Sequence, residues 1–246
     1  MPVSDRVLSV LDLFMGQRPE WTIEEAASAM AIPASTAYRY FRSLAAHGLI
    51  YDHLPGRYIL GAAVMRLDRQ MRIHDPLVKT VAPVMGRLAE AVGRPCVVLL
   101  ARLYQDAVMC VHQIDHRDPD FAVSYERGRM MPLDRGATSK VIFANLPVNV
   151  LRRLARSQPE LALHDPDRRR DLRRVRSDGY CVAHGEVDPG RIGIAVPIFL
   201  PYRKQVASLS VVVAAGDTDV EGIVASLCRQ RHMIETAIAA NVAITE

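Results

Sequence analysis

The chain has 246 residues, half of them hydrophobic and 24% charged, a balance that supports one or two packed domains and excludes a disordered or fibrous chain. Thirty-one basic against 27 acidic residues leave a net charge of +4, which permits an anionic partner without demanding one. Cys96, Cys110, Cys181 and Cys228 are widely spaced with no CxxC pair; this excludes a disulfide scaffold or structural zinc site and predicts reduced, inert thiols, Cys181 and Cys228 buried among them, in a cytoplasmic protein.

The N-terminal segment has no charged-then-apolar leader, and the longest apolar run, Val206 to Ala215, contains two serines. That run is about half the length of a membrane-spanning helix, so no membrane partner is expected.

Ser4 is positioned to cap a first helix whose apolar face is Val7, Leu8, Leu11 and Phe14. Gly16 to Trp21 breaks it, and Thr22 with Glu25 forms a capping box for a second helix through Ala26, Ala27 and Met30. A tight turn at Ala31-Ile32-Pro33 leads into a third helix from about Ala34 to His47, stopped at Gly48. Leu49-Ile50-Tyr51 and Tyr58-Ile59-Leu60 flank the turn signal Leu54-Pro55-Gly56 as a hairpin.

Residues 61 to about 74 read as a helical connector. A helix follows from Asp75-Pro76 with the face Val81, Met85, Leu88 and Val92, and Pro83 within it predicts a kink or a late start. From Pro95 the period changes. Cys96 to Arg102, Ala107 to Asp115, Phe121 to Tyr125, Ile192 to Phe199 and Val206 to Ala214 read as strands. Helical stretches fall near 137–146, 148–157 and 167–178. An amphipathic helix with Val220, Ile223, Val224, Leu227, Ile234 and Ile238 closes the chain. Strands and helices without regular βαβ alternation give an α+β domain with a mainly antiparallel sheet flanked by helices.

Helix, short turn, helix and hairpin is the layout of a winged helix-turn-helix. In the third helix Ala37, Tyr40, Phe41 and Leu44 form the inward stripe, leaving Ser35, Thr36, Tyr38, Arg39, Arg42 and Ser43 outward. Hydroxyls near the N-terminus followed by two arginines suit a helix entering the major groove, with Arg57 at the hairpin tip reaching an adjacent phosphate or the minor groove. A solvated face on an interaction module is the bland alternative, and charge does not reject it: residues 1–74 hold eight basic and seven acidic side chains. Placement favours DNA, because Glu20, Glu24 and Glu25 are assigned to helix two and helix three has no acid.

Val7-Leu8 through Phe14, the run Ile32 to Arg39, Gly48-Leu49-Ile50 and Arg57 to Gly61 resemble the IclR family of bacterial transcription regulators. So do Pro132-Leu133 through Ala137 with Lys140, and Gly179-Tyr180 with Gly185-Glu186 ahead of Ile194 to Ile198. The resemblance spans essentially the whole chain. It implies a winged helix-turn-helix over 1–60, a linker helix over 61–76, and over 77–246 a GAF-like domain for effector binding and oligomerisation. It also implies homodimers or dimers of dimers, a small organic effector, often a carboxylate or aromatic acid, and no cofactor.

From the residues themselves, the best ligand candidate is the loop Met130 to Thr138. Gly136 and Ala137 start a helix whose free N–H groups favour an anion, and Gly193 and Ser210 supply an opposite strand wall. Arg135 either clamps a carboxylate bidentately or faces solvent. Met130 is a weaker lining candidate. Arg135 departs from the small residue usual in the family, Ala183-His184 from an acidic stretch, and Val212 is apolar where a second strand hydroxyl is expected.

His112 and His116 fall on a strand, so a metal site is not expected. The arginines of 168–176 are interleaved with aspartates and read as a solvated helix. GxSxG, GxxxxGK[ST] and HExxH are all absent from the sequence, so an enzyme is not expected. The reading is an operator-binding regulator, repressor or activator, acting on a palindromic duplex with half-sites roughly 34 Å apart or multiples of that. The alternatives are a DNA-binding adaptor whose second half only oligomerises, and an enzyme with a DNA-binding appendage.

Overall fold

The computed structural model describes residues 3–16, 18–118, 121–200, 205–216 and 218–243, and the chain divides into two units, Met1–Asp75 and Pro76–Glu246. In the first, α1 (Val3–Leu13), α2 (Ile23–Ala29) and α3 (Ala34–Ala46) precede β1 (Ile50–Leu54), β2 (Arg57–Leu60) and α4 (Ala62–His74). Val10, Phe14, Ala26, Tyr40, Phe41, Leu44 and Ile50 are its buried core. Phe41 packs edge-on against Tyr58 with ring centroids 5.0 Å apart, an arrangement the ring quadrupoles favour.

Several expectations shift by a residue or a face. Helix α1 is already helical at Val3, so Ser4 lies inside its first turn and does not cap it. Leu8 is 58% exposed and Val10 takes its place in the core; the stripe that meets α3 is Val7, Val10, Leu11 and Phe14, at helical spacing. Glu20 precedes α2 and is not on it. The Thr22–Glu25 capping box forms in both directions. Trp21 exchanges two backbone hydrogen bonds with Tyr58, adding a one-residue rung to the wing.

At the root of the wing the backbone is crowded. The Gly61 N–H donates to the Leu49 carbonyl at 2.7 Å and the Ala63 N–H to the Gly48 carbonyl at 3.0 Å. A Cβ on Gly61 would overlap the Gly48 carbonyl, with that carbonyl's carbon only 2.8 Å away. Glycine is required there because two backbone segments meet.

The second unit is a six-stranded sheet in the order β5-β4-β3-β8-β7-β6, antiparallel at every pairing. Its strands are β3 (Cys96–Tyr104), β4 (Ala107–His116), β5 (Met130–Met131), β6 (Cys181–His184), β7 (Arg191–Leu200) and β8 (Gln205–Ala214). Helices α5 (Pro76–Val92) and α9 (Val220–Ala243) cover one face. On the other lie α6 (Gly136–Ala144), α7 (Val148–Ser157) and α8 (Pro166–Asp178). Central β3 and β8 are covered on both sides, which accounts for their unbroken buried runs.

Pro83 neither delays nor divides α5, which runs from Pro76 to Val92. Pro83 and Lys79, the residue whose carbonyl loses its partner, both lie on the exposed side of the helix, where the lost bond costs least, while Val81, Val84, Met85 and Leu88 stay buried.

Phe121 to Tyr125 is not a strand. Its alternation is real, since Phe121, Val123 and Tyr125 are buried, but the Ser124 N–H and hydroxyl bond the Asp188 carboxylate in place of a neighbouring strand. Conversely, β5 and β6 are short edge strands that the sequence pattern does not announce. Cys228 is exposed, not buried, because its position on α9 faces away from the Ile223–Leu227–Ile234 stripe. Among the described residues, no helix is long and apolar enough to cross a membrane, and no three His, Cys, Asp or Glu cluster as metal ligands would.

Candidate functional site

Helix α3 buries Ala37, Tyr40, Phe41 and Leu44 and leaves Ser35, Tyr38, Arg39, Arg42 and Ser43 exposed, with Thr36 half-buried. Pro33 precedes it, no side chain caps it, and its first turn holds no acid. Its N-terminus therefore keeps the partial positive charge that attracts phosphate.

Two of the nearby acids, Glu25 and Glu20, are already engaged. Arg18 and the Thr22 backbone N–H hold the exposed Glu25 carboxyl down at about 2. Glu20 accepts from Arg57 Nη1 at 2.6 Å and lies 3.3 Å from His53 Nε2. Arg57 opens β2, beyond the Pro55-Gly56 tip, and Glu20 braces its guanidinium. Ser35, Thr36, Tyr38, Arg39 and Arg42 thus share one helix surface, while Arg57 sits apart on the wing with a carboxylate partner.

In the second unit the loop Leu133–Arg135 feeds α6. Gly136, φ +74°, makes the turn, and a Cβ there would lie 2.8 Å from Val187 Cγ2. A buried polar network braces this turn. The Tyr125 hydroxyl donates to the Arg135 carbonyl at 3.1 Å and meets Ser139 Oγ at 2.7 Å. One residue earlier on α6, Thr138 Oγ1 pairs with Ser210 Oγ on β8 at 2.8 Å. Burial pushes the Tyr125 phenol up to about 12, against the opposing pull of Ser139, so its proton is in place throughout the physiological range.

Between the α6 N-terminus, the β6–β7 turn and the Gly193–Val212 rung lies a recess of about 30 Å³, close to the volume of one water. A carboxylate of the chain itself stoppers it. Glu186 accepts from the Gly136 N–H at 3.0 Å and from Lys140 Nζ at 2.6 Å. Partial burial works against ionising Glu186, but Lys140 and the Gly136 N–H outweigh it and the net shift is downward. Arg191 also lines the recess, its guanidinium 3.7 Å from the Phe121 ring centroid.

Of the six candidates named from the sequence, Gly136, Ala137 and Gly193 line this recess. Ser210 lies behind it, through Thr138. Met130 sits on edge strand β5 opposite Met109, and Arg135 is exposed outside the lining. Sequence reasoning missed Tyr125, Val187, Asp188 and Arg191 as lining residues. Glu186 stood in a matched motif without an assigned role; the pairing of its charge with Lys140, 46 residues away, has no local signature.

A winged helix-turn-helix whose third helix is uncapped and acid-free in its first turn, followed by a helix-covered antiparallel sheet, is the layout of a DNA-binding transcription regulator. The family model for the IclR helix-turn-helix domain matches residues 4–53, and that for the bacterial transcriptional regulator IclR C-terminal matches residues 71–232. The chain belongs to the IclR family.

It is 25% identical over 211 residues to the HTH-type transcriptional regulator KipR of Bacillus subtilis, covering 83% of this chain and 82% of that protein. It is 23% identical over 218 residues to the Pca regulon regulatory protein of Pseudomonas putida, covering 86% and 74%. Among solved structures, an IclR transcriptional regulator from Alicyclobacillus acidocaldarius superposes with TM-score 0.77 at 24% identity, covering 97% of this chain and 99% of that one. An IclR homologue from Microbacterium hydrocarbonoxydans, crystallised with 4-hydroxybenzoate, also gives 0.77 at 24% identity, with 97% and 100% covered.

Proposed function

We propose that the protein reads a palindromic operator through α3 and its wing as a homodimer or dimer of dimers, and that a small organic acid bound at the α6 N-terminus modulates this reading. The observation that carries the effector half is Glu186. The Gly136 N–H and Lys140 already hold a carboxylate, as a helix N-terminus backed by a cation does well. An effector carboxylate replaces it by turning the 185–190 segment outward, because the closed recess has no room for an organic acid. Arg191, not Arg135, is the second cation within reach. The related regulator crystallised with 4-hydroxybenzoate supports an aromatic acid as the class to test first.

Self-association is supported by α4. It has no buried residue, while Leu67 and Met71, one helical turn apart on one face, are 59% and 54% exposed, an apolar pair suited to a second copy.

The test has two arms. In the first, benzoate and hydroxybenzoates are titrated against the protein by thermal shift, and against its binding to promoter fragments from its own locus. A ligand that raises Tm and alters operator affinity, with both effects lost in Ala137→Phe, supports the proposal; no response to any acid returns the adaptor reading. In the second arm, Arg39→Ala weakens operator binding by about 1–3 kcal/mol if it reads a base, or lowers the salt slope by about one if it holds a phosphate. An unchanged affinity and slope overturn the assignment of α3 as the reading helix.

A further inference from the structure

Outside the recess, α7 and α8 each turn one face toward a groove of about 330 Å³. From α7 come Val148, Leu151, Arg152 and Ala155, and from α8 come Arg169, Leu172, Arg173 and Arg176. Both sets run i, i+3, i+4, i+7, so each is a continuous helical stripe. Phe143 at the end of α6 forms part of the floor. Val148 remains 59% exposed there.

The arginines of α8 divide by direction. Arg168 pairs with Asp134, Arg170 with Asp167 and Arg174 with Asp171. Those facing the groove have no such pairing: Arg169 donates to the His164 carbonyl, and among the described residues neither Arg173, Arg176 nor Arg152 has a carboxylate partner. No carboxylate lines the groove.

We infer that this groove docks an acidic amphipathic helix of a partner protein. The floor asks for an apolar stripe and the two rims for carboxylates flanking it, the helix-in-groove mode of recognition. The 10 residues of α7 and 13 of α8 set the length that fits, roughly 15–20 Å or three to four turns. Charge selects this occupant over two others. A second copy placing the same face across a two-fold axis sets arginine against arginine, and duplex DNA offers phosphates but, beyond scattered thymine methyls, no continuous apolar stripe for the floor.

The probe is a fluorescein-labelled, end-capped 14-residue helical peptide with Leu at i, i+3, i+4 and i+7 and Glu on both flanks, titrated with the full-length protein by anisotropy. Saturable binding at least tenfold tighter than that of a composition-matched scramble is expected. Arg152→Glu with Arg173→Glu weakens it at least tenfold, and Val148→Asp does so separately; all three positions are exposed, and unchanged operator binding checks the fold. The inference is overturned if the scramble binds equally, if the charge-reversed variant binds as the parent does, or if the probe is displaced equally well by a non-operator duplex or by octanoate.

Discussion

Replacing Tyr125 by phenylalanine removes one oxygen from a network that braces the turn into α6. The hydroxyl is the partner of Ser139 Oγ and of the Arg135 carbonyl, and Tyr125 and Ser139 are 3% and 0% exposed. A stranded buried hydroxyl costs about 1–3 kcal/mol. The lower end applies if Ser139 swings to the carbonyl four residues back, which in α6 is that same Arg135; the upper end applies if packing holds it.

For a unit of about 170 residues, 76–246, each kcal/mol moves Tm by roughly 2–4 °C, so a fall of about 4–8 °C is the central expectation. Removing the second partner should recover part of it: Tyr125→Phe with Ser139→Ala costs less than the two single changes added, by about 1 kcal/mol. Calorimetry or urea unfolding of the four proteins measures the cycle. A Tm change under about 1 °C, or strict additivity, refutes the network.

The phenol adds a pH signature. Its folded value of about 12 lies above the ordinary phenol value of 10.0, so its contribution is complete below pH 10 and disappears as pH rises from 10 toward 12. The phenylalanine variant flattens that limb.

Three further outcomes follow from other contacts. Gly61→Ala drives a methyl into the Gly48 carbonyl and should destabilise the N-terminal unit by about 2 kcal/mol or more, read as faster amide exchange at Leu49 and Gly61; wild-type exchange there contradicts the clash. Glu25, lowered to about 2 by Arg18 and the Thr22 N–H, supports the α2 cap above pH 4.5 and loses that support as pH falls toward 2, so Glu25→Gln should weaken the acid dependence of N-terminal unfolding. Finally, burial pushes the thiols of Cys96, Cys110 and Cys181 up to about 11, 12 and 11 while Cys228 is exposed. A maleimide at pH 7 therefore labels Cys228 in the native protein, and Cys228→Ser abolishes the fast phase.

The helix-turn-helix was readable because its signals are local. The Thr22–Glu25 box, the inward stripe of α3 and the Pro55-Gly56 turn are all short-range patterns, and each element forms where its pattern lies. The strands with long apolar runs, β3, β7 and β8, were legible for the same reason. Phe121 to Tyr125 misled because side-chain alternation reports burial, whereas strand pairing depends on what the backbone meets, and here that is Asp188. The recess was half legible: Gly136 and Gly193 stand out by residue type, but the Glu186–Lys140 and Ser210–Thr138 pairs join positions 46 and 72 residues apart, a relation only the fold creates. Of the two readings open for Arg135, clamp or solvent, its exposure matches the second: adjacency to Gly136 in the chain did not carry it into the lining.

The two backbone bonds at the foot of the wing have a mechanical consequence. With Gly61 and Ala63 both fastened to Leu49 and Gly48, just past the end of α3, the start of α4 is held to the turn that closes that helix. The connector is a steering column more than a tether. A turn of its first residues is passed through those two bonds to the segment that closes α3 instead of dissipating in slack.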